Sequence, residues 1–275
     1  MMRKLLGSLK LALVLFVFNF GLAKASDDPL PKKYIYPSIE MLRFKVMDLK
    51  DDEEFKFKPF ENWSPLMTEV RSGSLEREVA VTKMKELVNL LKVFSESGDI
   101  GVYSESEWVF PVSGYDASSI GGVNGSGYRP GGFDFFTSGS GIHPAHDIFI
   151  RDRDQDCIDD ITGKSVEILS MSGGIVVETR IGWSPEMDTR GGNFVYVFDN
   201  YTEGFFYYAH MKEVFVKVGE IVAPGSVLGT MGRTGLNAYP SRSPTHLHLM
   251  YVKSYEGDLQ PEDVYQELLN SKITN

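Results

Sequence analysis

From Trp108 onwards the chain runs in short apolar stretches rich in β-branched and aromatic residues, broken by Gly, Ser, Asn and Asp. The stretch before it follows a helical period. Ala80, Met84, Leu87, Leu91 and Phe94 recur at spacings of four and three and Gly98 follows, so the pattern predicts an amphipathic helix from Leu75 that stops at Gly98. Its apolar stripe reads as a packing face, and the same helix laid over a cleft would occlude it. The later runs predict strands over 108–112, 147–151, 165–169, 174–180, 193–199, 204–210, 214–218, 226–231 and 246–252. Many short strands without helices between them imply a mainly β fold, an antiparallel sheet or sandwich. Pro261, Glu262 and Asp263 then open a short C-terminal helix that runs to about Asn270, since proline and acids suit a first helical turn.

The apolar run Leu11 to Phe18 stands apart from these patterns. Arg3, Lys4 and Lys10 precede it and Ala23-Lys24-Ala25 follows, which is the layout of a signal peptide cut before Ser26. The run is short for a membrane span of about 20 residues, so export with removal of the leader is the expectation, with the product periplasmic or extracellular and without a stable membrane anchor. The chain then divides into a leader over 1–25, an N-terminal region with one helix over 26–106, a β-rich domain over 107–258 and a C-terminal helix over 259–275. Residues 26–58 show no sustained period and read as an extended lead-in.

Charge narrows the partners. The chain has 28 Lys+Arg against 38 Asp+Glu, a net charge of −10, and loss of the leader's four basic residues takes this to −14. So acidic a surface excludes nucleic acid as the expected partner. Cys157 has no second cysteine with which to form an internal disulfide, so packing, aided by metal, must supply the stability.

All five histidines (143, 146, 210, 246 and 248) lie in the second half, and four of them form two tight pairs. His246 and His248 alternate along a strand and so share a face, with backbones about 6–7 Å apart. Either they are core histidines satisfied by one hydrogen bond each, or one binds a metal while its neighbour overlooks the site. His143 and Asp147 would be about 13 Å apart on a straight strand, so they can share an ion only if the chain bends, as Pro144 permits. His143, Asp147 and His248 together would supply two nitrogens and a carboxylate oxygen and leave a fourth tetrahedral position open, the composition of a catalytic zinc site.

The series His143-x-x-x-Asp147, Tyr208-Ala209-His210 and His246-Leu247-His248, in this order with β-rich sequence between, resembles the lysostaphin-type (LytM-like) peptidoglycan metalloendopeptidases over roughly residues 130–255. Gly174 to Val177, Val216 to Gly225 and Gly232-Arg233-Thr234-Gly235 agree with it. The resemblance implies an exported zinc endopeptidase acting on peptidoglycan stem and cross-bridge peptides, with His143, Asp147 and His248 as zinc ligands and His210 and His246 as the catalytic pair. It departs from the family in one place. The usual H-x-G-x-D has Ala145 and His146 in its middle, so a second imidazole competes with His143; a strand would turn His146 away from Asp147, which favours a structural role. A catalytically silent relative that binds the wall or activates a separate amidase is the alternative. No HExxH helix and no G-x-S-x-G occur in the chain, which disfavours a glutamate base and a serine nucleophile.

Two further features stand beside this constellation. Asp152, Asp154 and Asp156 are spaced like the first half of a calcium loop, but Cys157 takes the place of the loop's glycine and Gly163 that of its closing glutamate. A solvated acidic turn competes with calcium there. The loops over 183–192 and 236–244 flank strands and are rich in Gly, Pro, Ser and Arg, so they are expected to wall a substrate groove, with Trp183, Arg190, Tyr239 and Arg242 as contacts.

Overall fold

The central strands are apolar on both faces, which a sheet tolerates only when both faces are covered. In the computed structural model, which describes residues 58–137 and 143–274, two layers cover them. The strands are β1 (His146–Phe149), β2 (Glu167–Leu169), β3 (Gly174–Arg180), β4 (Asn193–Asp199), β5 (Gly204–Met211), β6 (Glu213–Val214), β7 (Ile221–Val222), β8 (Val227–Thr230), β9 (His246–Tyr255) and β10 (Asp258–Pro261). Seven of them form an antiparallel sheet in the order β1-β9-β5-β4-β3-β7, with β10 also paired to β9, and β2-β8-β6 form a second, smaller sheet. The fold is mainly antiparallel β. The expected leader over 1–25 and the lead-in up to residue 57 lie outside the described residues, among which no helix is long and apolar enough to cross a membrane.

One face of the large sheet, with Val176, Val195, Val197, Phe206, Tyr208, Leu247 and Leu249, packs on Ile168, Leu228 and Met231 of the small-sheet side. The other face, with Ile175, Val177, Phe194, Tyr196, Phe198, Phe205, Met250 and Val252, is roofed by Trp63, Leu66, Met67, Val70, Met84, Leu87 and Leu91. These roof residues come from α1 (Trp63–Arg71) and α2 (Arg77–Ser97). The helix expected from Leu75 starts at Arg77, and the backbone N–H of its C-cap Gly98 donates to the Phe94 carbonyl. Helix α1 escaped the sequence reading although Trp63, Leu66, Met67 and Val70 follow a helical spacing. A bidentate ion pair from Arg71 to Glu178 of β3, at 2.8 and 3.0 Å, and a 2.8 Å hydrogen bond from the Trp63 indole to the same carboxylate pin α1 to the sheet.

Three expectations are corrected. Residues 108–112 make isolated bridges from Val109 to Lys272 and from Val112 to Ile168 instead of a strand, because Pro111 has no N–H to give a ladder. The strand expected over 214–218 reduces to Glu213–Val214, since the chain turns at Gly219, whose φ is +86°. Pro261 ends β10 opposite Val252 and does not open the last helix, α3, which spans Tyr265–Asn270. The residues expected to cap that helix are drawn elsewhere: Asp263 takes the His146 imidazole at 2.9 Å as well as the Tyr265 N–H.

Candidate metal centre

The four polar side chains of β1, β5 and β9 meet at one end of the helix-covered face. Asp147 of β1 lies opposite His248 of β9, and His248 lies opposite Ala209 of β5, so ladder register alone brings Asp147, His248 and the end of β5 side by side. His143 arrives from outside the strands. It is held by paired backbone hydrogen bonds with Arg129, and its Nδ1 sits 2.9 Å from the Gly127 carbonyl. The chain bends between His143 and Asp147, and the His143 Nε2 lies 3.2 Å from Asp147 Oδ1, while His248 Nδ1 lies 3.0 Å from the same oxygen.

His210 reaches the site through a β-bulge. Phe194 is opposite Ala209 but Asn193 is opposite Met211, so His210 is the extra residue of β5, and its φ of +67° puts a side chain in the left-handed region. Such backbone costs on the order of 1–3 kcal/mol and persists where it re-aims a working side chain. The loops close behind it. Gly192 and Gly235 pass so near each other that a Cβ on Gly235 would stand 2.5 Å from the Gly192 nitrogen, which accounts for the Gly232 to Gly235 text.

The second nitrogens of the rings are committed. His210 Nδ1 donates to the Thr234 carbonyl at 2.8 Å and His246 Nδ1 to the Pro244 carbonyl at 2.7 Å, so each presents Nε2 as a lone pair. Their rings are 4.9 Å apart, and His246 Nε2 is 3.7 Å from Asp147 Oδ1. Burial, reinforced by the neighbouring His248, pushes the His210 imidazole down to about 3, and burial also lowers His246. Asp147 goes the other way for a carboxyl in a half-buried place: burial alone would raise it, but hydrogen bonds from His143 and His248 hold it far below the usual carboxylate range. The hydrogen bond to Asp147 raises His143.

The donor set suits zinc. Ligand atoms of His143, Asp147 and His248 all lie within 4.8 Å of one another, and the separations of 3.0 and 3.2 Å are close to the roughly 3.4 Å between tetrahedral ligands at zinc distances. The Gly127 carbonyl at His143 is placed as the outer partner that would orient the imidazole if it ligated an ion. His146 stays out of this group. It is buried on the opposite face, with Nε2 on Asp263 and its ring stacked on Tyr128 at 5.5 Å.

A cavity of about 400 Å³ opens over the group, lined by His143, Asp147, His210, His246, His248, Phe149, Asn237, Arg242, Ser243 and Pro244. Of the four residues expected to touch substrate, Arg242 lines this cavity. Trp183 and Tyr239 instead pair across the two loops, ring centroids 5.5 Å apart, and the exposed Arg190 contributes its carbonyl to the Asn237 N–H.

Asp152, Asp154 and Asp156 do present oxygens within 4.8 Å of one another. Asp152, however, is buried and spent on the protein: it accepts the Asp156 and Cys157 N–H groups and the Thr245 hydroxyl, the last at 2.6 Å. Gln155 adds hydrogen bonds to the Ser241 and Ser243 carbonyls. The acidic loop is thereby a clamp on the segment that leads into His246, and nothing in it supports the calcium reading. Sequence reading missed this clamp because Thr245 looks like any strand-entry residue; Arg233, which holds the Tyr239 and Pro240 carbonyls, was visible only as part of the Gly-Arg-Thr-Gly text.

The model of peptidase family M23 matches residues 155–261, a segment that holds His210, His246 and His248 and starts just after Asp147. Among solved structures, the catalytic domain of the antimicrobial peptidase lysostaphin from Staphylococcus simulans is 25% identical, covering 49% of this chain and 83% of that domain with a TM-score of 0.34. The chain spans half of lysostaphin as solved at greater length, at 22% identity and a TM-score of 0.33 over 53% of this chain. A zinc-containing peptidase from Vibrio cholerae is 18% identical, with 56% of this chain and 39% of that one covered and a TM-score of 0.37. No curated protein matches the chain.

Proposed function

We propose, from the match of residues 155–261 to the model of peptidase family M23, that the protein is an exported zinc endopeptidase that hydrolyses peptide cross-links of bacterial peptidoglycan. The observation that carries this reading is the single oxygen Asp147 Oδ1 set among His143, His248 and His246 nitrogens at 3.2, 3.0 and 3.7 Å. Three imidazoles and a carboxylate around one point are a costly way to fill a protein and a direct way to hold a cation beside two bases. The expected leader over 1–25 supports export.

In this reading His143, Asp147 and His248 hold the ion. Zinc there would supply Lewis acidity, polarising the scissile carbonyl and letting water lose its proton near neutral pH. His210 and His246 do the proton work. Tied through Nδ1 and kept neutral by burial, they offer Nε2 to take the attacking water's proton. The charged ring so formed faces the developing oxyanion and returns the proton to the leaving amine. Arg242, at the cavity wall, faces the substrate peptide.

The test is metal content followed by zymography. The purified protein is expected to carry one zinc per chain and to clear cell-wall gels, with His210→Ala and His246→Ala keeping the metal and losing clearance. Stoichiometric zinc without hydrolysis by the unaltered protein would refute the endopeptidase reading.

A further inference from the structure

The register of the large sheet places a cation at the far end of the row that starts at the metal centre. His248 is opposite Ala209, Ala209 opposite Phe194, and Phe194 opposite Arg180. Four residues thus cross β9, β5, β4 and β3 in one line, about 14 Å from end to end at the usual strand spacing. Tyr207 floors the line between its ends: its half-buried ring is 6.1 Å from the His248 ring and 5.2 Å from the Phe194 ring. Its hydroxyl reaches the returning loop, since a Cβ on Gly191 would strike it.

Two guanidinium groups share Phe194. Arg71 of α1 stands 5.9 Å from its ring centroid and Arg180 5.5 Å. Arg71 is neutralised by its bidentate pair with Glu178. Among the described residues no carboxylate stands within ion-pair distance of Arg180, although acidic side chains outnumber basic ones by ten. An unpaired, half-buried guanidinium stacked on a ring is preorganised for a carboxylate, which it can meet with two parallel hydrogen bonds.

We propose that Arg180 is a specificity-determining residue that binds a carboxylate of the substrate peptide, with the half-buried Tyr207 ring as the surface between that contact and the metal centre and the buried Phe194 ring as the support beneath the guanidinium. An extended chain covers 14 Å in about four residues, so the substrate class is an acidic peptide with its free carboxylate about four residues from the cleaved bond. The proposal rests on the endopeptidase reading for the word substrate, but the binding contact can be measured without hydrolysis.

The experiment uses the zinc-loaded full chain and two probes, a soluble stem-peptide fragment with free carboxylates and the same fragment amidated. Binding is read by calorimetry and hydrolysis by product release. The acidic fragment is expected to bind about tenfold tighter than the amidated one, the size of a charge-assisted contact. Arg180→Ala should erase that ratio by weakening binding of the acidic fragment and raising its KM, and Arg180→Glu should reverse the preference. Should Arg180→Ala lower the thermal midpoint, Arg180→Gln, which keeps the stem on Phe194, takes its place. Equal binding of the two fragments by the unaltered protein, or an unchanged ratio in the variants, overturns the proposal. Tighter binding of the acidic fragment without hydrolysis of either would leave Arg180 recognition standing and sink the peptidase reading instead.

Discussion

Thr245→Val isolates the clamp between the acidic loop and the strand that carries His246 and His248. Valine keeps the shape of threonine and deletes one hydroxyl, which in the native protein donates to the buried Asp152 carboxylate at 2.6 Å. Asp152 keeps the Asp156 and Cys157 N–H groups at 3.1 and 2.9 Å, so the loss is one hydrogen bond to a charged group, worth about 2 kcal/mol. For a chain of this size that amounts to a fall of about 4–8 °C in thermal midpoint. The strand entry also loses its tether one residue before His246, whose Nδ1 depends on the adjacent Pro244 carbonyl. Hydrolysis of wall material should therefore fall more than zinc content, because His143, Asp147 and His248, the proposed ligands, do not touch the clamp. Calorimetry, metal analysis and wall clearance at a temperature well below the midpoint check the three parts, with Thr245→Ser as the rescue. A midpoint shift under about 1 °C, or full activity in the valine variant, would refute the account. Calcium gives a companion measurement: a clamp already satisfied by backbone N–H groups should show no rise in midpoint when calcium is added.

Glu178→Ala should leave the Trp63 indole N–H and the Arg71 guanidinium without their shared acceptor, lowering stability by about 3 kcal/mol, as read from the urea midpoint, and loosening α1 first in hydrogen exchange. Asp147→Ala should abolish zinc binding, since the remaining imidazoles of His143 and His248 lose the oxygen that both contact; equilibrium dialysis measures it. In the metal-free chain His210 is held neutral to about 3 by burial, whereas the unfolded ring takes its proton near 6.5. Between those values the unfolded state binds more protons, so this group's contribution is complete above pH 6.5 and is lost as pH falls toward 3. Stability of the unaltered chain should therefore drop between pH 7 and 4 by a few kcal/mol more than that of His210→Gln, in urea melts at each pH.

Seven of the nine expected strands, the helix stopping at Gly98, and the five histidines with Asp147 were readable along the chain, because period and residue type are local properties. The three motifs marked which residues to bring together. The sequence could not show what roofs the sheet. The residues of β3, β4 and β5 are apolar on both faces, so their pattern names no partner, and α1 and α2 became their cover only through burial of Trp63, Met67, Met84 and Leu87 against Phe198 and Phe205. Nor could spacing place His210, which depends on a bulge that adds one residue to β5, or assign Asp152 to Thr245 across 93 positions. Arg180 shows the difference most plainly. As a letter it is one basic residue among 28, and only ladder register across four strands puts it in line with His248. Which side chains can form strands, helices and metal ligands is inherent in their chemistry; which of them face one another is set by long-range pairing, because register and burial are decided between segments and not within them.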